Sequence, residues 1–260
     1  MKTAGLIQNM KKNSFLFQQL VSRDFKQKYK RTALGMLWSI LSPLLTLLVM
    51  RTVFLRFFGR TTPHYTTYLF SGIVVMSFFR EATKTGMMSL VQNAGIITKI
   101  NLPKHLFVFS SSVSAFANFA LTFLVYLVFC AIDHIRFGAG FLMLLYPMIT
   151  LTLMNVGISM ILSCLYIFFR DTMYLYEVFL TLLNYLSAIF YTVDQFPAKA
   201  QRLFLLNPVY AHIKYFRLIV IDHSFPSPAY HCLLLFYAAF FLLIGFFMYR
   251  KYNHEFVYYF

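Results

Sequence analysis

Three groupings of potentially reactive residues occur along the chain. His254-Glu255 is half of the pattern by which a helix holds zinc beside a general base, but no second histidine follows at the required spacing. Asp222-His223-Ser224 carries the side-chain types of a hydrolytic triad as direct neighbours in a Pro-rich loop. A triad works by convergence of distant segments, so both groupings read as chance. None of the ten glycines opens a Gly-x-x-x-x-Gly-Lys-Ser/Thr phosphate loop, and no dinucleotide fingerprint is present. If ATP drives this protein, another chain binds it. The seven histidines (His64, His105, His134, His212, His223, His231 and His254) are too scattered to suggest a catalytic constellation. Arg51 and Glu177 remain, because each interrupts an apolar stretch, where an ionisable group is suspect by default. At helical rise Arg51 lies about 24 Å beyond Gly35, near an interface to which its stem can snorkel. Glu177 lies about 10 Å from Arg170 and reads as a helix-packing or interface partner. Neither belongs to the relay of carboxylates and histidines that a proton-coupled carrier needs.

The elements that must position these residues are apolar helices. The chain is 60% hydrophobic and 12% charged, with a mean hydropathy of +0.67. A spanning helix needs about 20 apolar residues because hydrocarbon leaves unpaired backbone groups unsolvated. Ala33 to Leu55 is broken only by Arg51, and Thr61 to Phe79 carries no Asp, Glu, Lys or Arg. Leu106–Ile132 and Phe137–Phe169 are free of the same residues, Thr172–Val193 contains only Glu177, and Ala229–Tyr249 only His231. The reading is an all-α integral membrane protein of one domain with six transmembrane helices, at 33–55, 66–90, 105–132, 140–169, 172–193 and 229–249. The dyad alternation of a membrane barrel is missing. Cys130, Cys164 and Cys232 fall inside these spans and imply no disulfide framework.

A formal charge of +15 invites nucleic acid as a partner, but the positions of the charges point to membrane topology instead. Eight of the 23 basic residues precede the first span, and Arg80, Lys84, Lys99 and Lys104 follow the charge-free window Thr61–Phe79 of the second. By the positive-inside rule these segments are cytoplasmic, as are both termini. Lys199, Arg202, Lys214 and Arg217 lie on the side this rule makes external. The basic N-terminal region does not read as a cleaved signal, since a span-length apolar run and no small-residue cleavage site follow. Within it Phe17, Val21, Phe25 and Tyr29 recur every four residues between Arg23, Lys26, Lys28 and Lys30, the pattern of an amphipathic helix in the interface plane over 11–31.

Further landmarks carry a likeness. Arg23-Asp24-Phe25-Lys26 runs through Leu34-Gly35-Met36-Leu37-Trp38; Ser89 to Lys104 follows the second span; Phe169-Arg170-Asp171, Leu206-Asn207-Pro208-Val209-Tyr210 and Phe216-Arg217 come later. In this order the chain resembles the permeases of type-2 ABC exporters that move lipid-linked polysaccharides (O-antigen, teichoic acid or cell-wall rhamnan). The resemblance implies a homodimer in the bacterial cytoplasmic membrane, bound to two copies of a cytoplasmic ATPase subunit that holds ATP and Mg. The permease would have no cofactor or catalytic site of its own, and would export an undecaprenyl-linked glycan or a teichoic-acid-like polymer. It also implies a coupling loop over 93–104, with Arg23, Lys26, Lys30, Asn93, Gly95, Lys99, Pro103 and Lys104 toward the ATPase or, for the first three, lipid phosphates. The turn into the first span falls to Leu34, Gly35 and Trp38. A pair of re-entrant helices over 197–224 is implied on the external side, carrying Asn207, Pro208, Tyr210 and Arg217, its basic residues capping an outer exit. Gly35 suits a sharp turn and Trp38 a headgroup anchor. Of the abundant aromatics, Phe179, Tyr185, Phe190 and Tyr191 are the candidates to line a channel and stack on sugar rings. Two other functions are weighed: the same architecture with a small hydrophobic cargo such as a drug or haem, and a membrane-embedded enzyme that modifies glycolipids.

Overall fold

A computed structural model describes residues 16–26, 30, 32, 34–58, 62–99 and 103–259, and among them every regular element is a helix. Residues 16–26 form α1. A 3-10 turn, Gly35–Leu37, leads into α2 (Trp38–Phe58), followed by α3 (Tyr65–Gln92), the one-turn α4 (Ala94–Ile97), α5 (His105–Ile132), α6 (Leu145–Phe168), α7 (Thr172–Leu186), α8 (Ala198–Phe204), α9 (Pro208–Val220) and α10 (Pro228–Tyr252). Expectations that fall on 11–15, 27–29, 31, 33 and 100–102, Tyr29 included, lie outside the described residues.

Four of these helical stretches are long and apolar enough to cross a membrane: Gly35–Phe58, His105–Ile132, Ala139–Phe168 and Pro228–Tyr252. The other two expected spans behave differently. α3 has the length, with 28 residues, but it continues past the charge-free window and carries Arg80, Glu81 and Lys84 on the helix itself rather than in a loop. α7 stops at Leu186 after 15 residues, about 22 Å of rise against a hydrocarbon core of about 30 Å.

α3 is the central post. Residues from Tyr65 to Leu90 are buried around its circumference, with α5, α6, α2 and α9 packed about it. Apolar surface drives such packing weakly in lipid, so close backbone approach and interhelical hydrogen bonds carry the association. At Gly157 of α6 an added Cβ would lie 2.4 Å from the Phe241 carbonyl carbon and 2.5 Å from the Leu242 nitrogen of α10. Gly86 of α3 faces Ser159 of α6, whose hydroxyl donates to the Ala82 carbonyl at 3.1 Å.

Pro43 inside α2 removes the N–H that would bond the Ser39 carbonyl one turn earlier. The Thr122 hydroxyl of α5 donates to that carbonyl instead, at 3.2 Å. At the start of this helix Gly35 has φ +51°, a left-handed turn that a Cβ would strain. Trp38 opens α2 half in the open, 45% exposed.

α1 docks on the end of the bundle where α3 finishes and α5 begins. Its buried residue is Leu20, with Leu16 one turn before it, and Asp24 one turn after it accepts the Ser110 hydroxyl of α5 at 2.6 Å. Phe17, Val21 and Phe25 are only half-buried. The docked stripe is therefore Leu16, Leu20 and Asp24, rotated from the aromatic stripe that spacing alone suggests.

Candidate functional site

The end of α7 opposite α1 is built from side chains of other helices. Ser187 and Ala188 terminate the helix, Ala188 at φ +48°, and the carbonyls beyond cannot find helical donors. The Leu186 carbonyl accepts from Asn207 Nδ2 at 3.2 Å, those of Ala188 and Ile189 from Arg217 at 2.9 and 3.0 Å, that of Phe190 from Tyr65 Oη at 2.9 Å, and that of Tyr191 from Tyr68 Oη at 2.7 Å. Irregular backbone survives at membrane depth only with its polar groups satisfied in this way. These donors are the reason the expected span to residue 193 ends early.

Asn207 and Arg217 both sit on α9, which begins as its sequence dictates. Asn207 is the N-cap, its Oδ1 accepting the Val209 and Tyr210 N–H groups at 3.0 and 3.2 Å, and Pro208 occupies the first turn. Tyr210 is buried and packs on Phe204 of α8 at 5.4 Å between ring centroids. Arg217 is only 6% exposed. Its guanidinium also reaches Ser71 Oγ and the Tyr68 carbonyl, both at 3.2 Å, and lies 3.4 Å from the centroid of the Tyr68 ring. Among the described residues no carboxylate pairs with it; carbonyl dipoles and a ring face hold the charge. This corrects the expectation that Arg217 caps an exit, since the residue faces inward. Lys199 and Arg202 on α8 are exposed and Lys214 is half-buried.

Three of the four aromatics singled out for a channel come together here. Phe190 stacks on Phe54 of α2 at 4.7 Å and meets Tyr185 at 5.9 Å and Tyr191 at 5.2 Å. Phe179 does not join them; it lies nearer the other end of α7, half-exposed beside Tyr176.

Two cavities run along α3. The first, about 660 Å³, lies between α2, α3, α5 and α7 and is bordered by Trp38, Arg80, Glu81, Lys84, Asn118 and Asn184 among others. Asn118 Nδ2 donates to Glu81 at 2.6 Å, while its Oδ1 accepts the Ser39 hydroxyl at 3.3 Å, so α2, α3 and α5 share one polar junction. Lys84 pairs with Glu177 of α7, which gives Glu177 a helix partner. Arg51 is exposed on α2. The second cavity, about 740 Å³, opens at the α1 end between α1, α3, α4 and α5 and includes Arg23, Asp24, Glu81, Ser89 and Asn93. Its contents are hydroxyls, amides and two carboxylates beside one guanidinium, a lining suited to polar ligands and lacking an activated nucleophile.

The segment after α3 is less uniform than its spacing suggests. Among its described residues, helix is confined to Ala94–Ile97. Gly95, Lys99 and Pro103 are exposed, whereas Asn93 is buried and donates to the Ser89 carbonyl at 2.7 Å. Lys104 donates to the Asn253 carbonyl and sits 5.4 Å from the Phe256 ring centroid, and burial pulls its ammonium below the ordinary lysine value. Asn93 thus closes the end of its own helix and Lys104 ties the start of α5 to the segment after α10, instead of both presenting themselves outward. Lys26 and Lys30 are exposed, and Arg23 pairs with Asp24 at 2.7 Å. Sequence reasoning missed Asp24, Glu81 and Asn118. Their signal was available, since each is polar or charged within an otherwise packed helical face.

His254 and Glu255 are exposed near the chain's last turn, far along the chain from Asp222, His223 and Ser224, and among the described residues no group of His, Cys, Asp and Glu is placed to hold a metal. The buried pair of His212 with Thr150 at 3.2 Å and the half-buried pair of His231 with Tyr215 at 2.8 Å fasten helices together.

Comparison with known proteins bears on this architecture. The O-antigen export system permease protein RfbA of Klebsiella pneumoniae is 26% identical over 247 residues, covering 93% of this chain and 95% of that protein. A protein of the same name from Myxococcus xanthus is 23% identical over 82% of each chain. The capsule polysaccharide export inner-membrane protein CtrC of Neisseria meningitidis serogroup B is 22% identical over 76% of each. The family described as ABC-2 type transporter matches residues 15–221, from just ahead of α1 to just past the end of α9. The helices that build both cavities and the anchored end of α7 lie within that match, and the chain belongs to the ABC-2 type transporter family.

Proposed function

We propose that this chain is the membrane subunit of an ATP-driven exporter of lipid-linked polysaccharide. The observation that carries the reading is similarity, over 76–93% of this chain, to permeases named for O-antigen export and an inner-membrane protein named for capsule polysaccharide export. A separate ATPase subunit, in two copies, binds ATP and Mg, and two copies of the permease enclose the path. The α1 end is cytoplasmic, as its basic residues require, and both termini lie on that side. The six helices α2, α3, α5, α6, α7 and α10 serve as spans, with α7 completed by the anchored stretch beyond Leu186, while α8 and α9 form the external re-entrant pair. The outward faces of α2 and α7, with Leu48, Val49, Leu175 and Leu182 among their exposed residues, supply apolar area for the second copy or for lipid.

Depletion of the protein is expected to leave undecaprenyl-linked glycan on the cytoplasmic face. Normal surface polymer without such accumulation would redirect attention to a small cargo. In the exposed segment after α4, K99E is expected to lower export about tenfold while the assembled complex keeps its ATPase activity, because charge reversal mismatches the docking surface. Wild-type export by K99E would remove Lys99 from the coupling. At the outer end, the double variant Y185A/F190A removes two rings from the cluster facing the path. Each stacked ring is worth about 0.5–1.5 kcal/mol, so chain export measured by pulse labelling is expected to slow about tenfold, and an unchanged rate would show that sugars do not stack there.

A further inference from the structure

Resting on the reading of an exporter of lipid-linked glycan, we propose that Arg80 and Lys84 form a docking site for the diphosphate of an isoprenoid-linked cargo in the cavity between α2, α3, α5 and α7. On docking, Lys84 exchanges Glu177 for the incoming phosphate.

The cavity, about 660 Å³, falls within the usual range of about 300–1,000 Å³ for ligand pockets. Its wall is divided in chemistry: Met50, Ile73 and Phe119 are apolar, Ser42, Thr46 and Asn184 offer hydrogen bonds, and the two cations lie at the α1 end. Arg80 and Lys84 are one helical turn apart, with Cβ atoms about 5–6 Å from each other, near enough for both to hold one diphosphate. Glu81 between them is engaged by Asn118 at 2.6 Å. Arg80 is exposed, and among the described residues it has no carboxylate partner. The pair of Lys84 with Glu177 is partly exposed, so it holds the ammonium in place while the cavity is empty and gives it up to an incoming phosphate at small cost. α2 forms one wall and turns Leu45, Leu48 and Val49 outward, so an isoprenoid tail can remain in lipid while its head group enters past Trp38.

Trp38 is the single tryptophan of the chain and borders the same cavity, so its fluorescence reports occupancy directly. The full-length protein in phosphatidylcholine nanodiscs would be titrated with farnesyl diphosphate, farnesol and phosphatidylglycerol. A saturable change with farnesyl diphosphate alone is expected. R80A and K84A should each raise its Kd about tenfold, the scale of one hydrogen bond to a charged group. Arg80 is exposed, so R80A tests binding without disturbing packing. E177Q should lower Kd a few-fold by releasing Lys84, whereas a purely structural ion pair would make K84A and E177Q weaken binding alike, and that result overturns the proposal. So does saturation by phosphatidylglycerol in the same range, which would mark an ordinary lipid site, or no saturable change at all. A protein that exports polymer without a saturable change sinks the site and leaves the exporter reading. One that binds farnesyl diphosphate yet exports nothing supports the site and sinks that reading.

Discussion

Arg217→Ala is expected to leave little folded protein in the membrane. The substitution removes the side chain that holds the Ala188 and Ile189 carbonyls, and takes one partner each from Ser71 Oγ and the Tyr68 carbonyl, which keep their bond to each other. Each orphaned buried acceptor costs about 1–3 kcal/mol, so the two orphaned here are a large share of a typical stability of about 5–15 kcal/mol. R217M separates the two components of that loss, because it keeps most of the volume and removes the charge. Buried ion pairs sometimes tolerate apolar replacement when both partners are exchanged. Here the acceptors are backbone and stay, so R217M should fail nearly as badly as R217A. R217K should fall between, since one compact ammonium cannot reproduce a planar fork with bonds in several directions. Thermal unfolding in detergent, read by fluorescence-detected size exclusion, would rank the three. Wild-type stability of R217M would refute this account of α7.

Gly157→Ala should be nearly as damaging for a different reason. The new methyl would stand 2.4 Å from a backbone carbon of α10, and no rotamer change can withdraw backbone, so α6 and α10 must separate along their contact. A loss of about 3 kcal/mol is expected. Gly86→Ala makes the internal comparison, because its Cβ meets the side chain of Ser159 at 2.3 Å. G86A should recover in combination with S159G, while no side-chain truncation on α10 should recover G157A. Denaturation of G157A, G86A and G86A/S159G in the same detergent decides it, and a mild G157A phenotype would mean that the α6–α10 spacing has slack.

Much of the helical framework was readable because an apolar run of span length has few alternatives in lipid. The boundaries of α5 coincide with its charge-free window. The early end of α7 and the charges that α3 carries within its length share a cause. α3 continues through Arg80, Glu81 and Lys84 because those charges find a cavity, Asn118 and Glu177 to face, partners supplied by α5 and α7 and invisible in a local window. α7 ends early because Tyr65, Tyr68, Asn207 and Arg217 converge on its carbonyls from two other helices. The Asn207-Pro208 pair was legible as a helix start by its chemistry. The inward course of Arg217 was not, since an arginine in a short amphipathic segment ordinarily seeks water. The local turn at Gly35 could be anticipated from a residue free to take a positive φ, but the docking stripe of α1 could not. Leu16 and Leu20 are less conspicuous than the aromatics beside them, and only the groove they fill distinguishes the two faces.

The fastening of residues 186–191 also has a mechanical meaning. A strip whose carbonyls are gripped from α3 and α9 at once cannot pivot about either without breaking several bonds together. That end of the protein therefore behaves as a stiff collar. Compliance must lie where the grip is looser, in the middle of α7 and in α2, whose helix carries Pro43 inside it and lacks one backbone bond there. Force applied at the α1 end would reach the far side as a bend of those two helices against a fixed rim, in the manner of a sleeve flexing below its cuff.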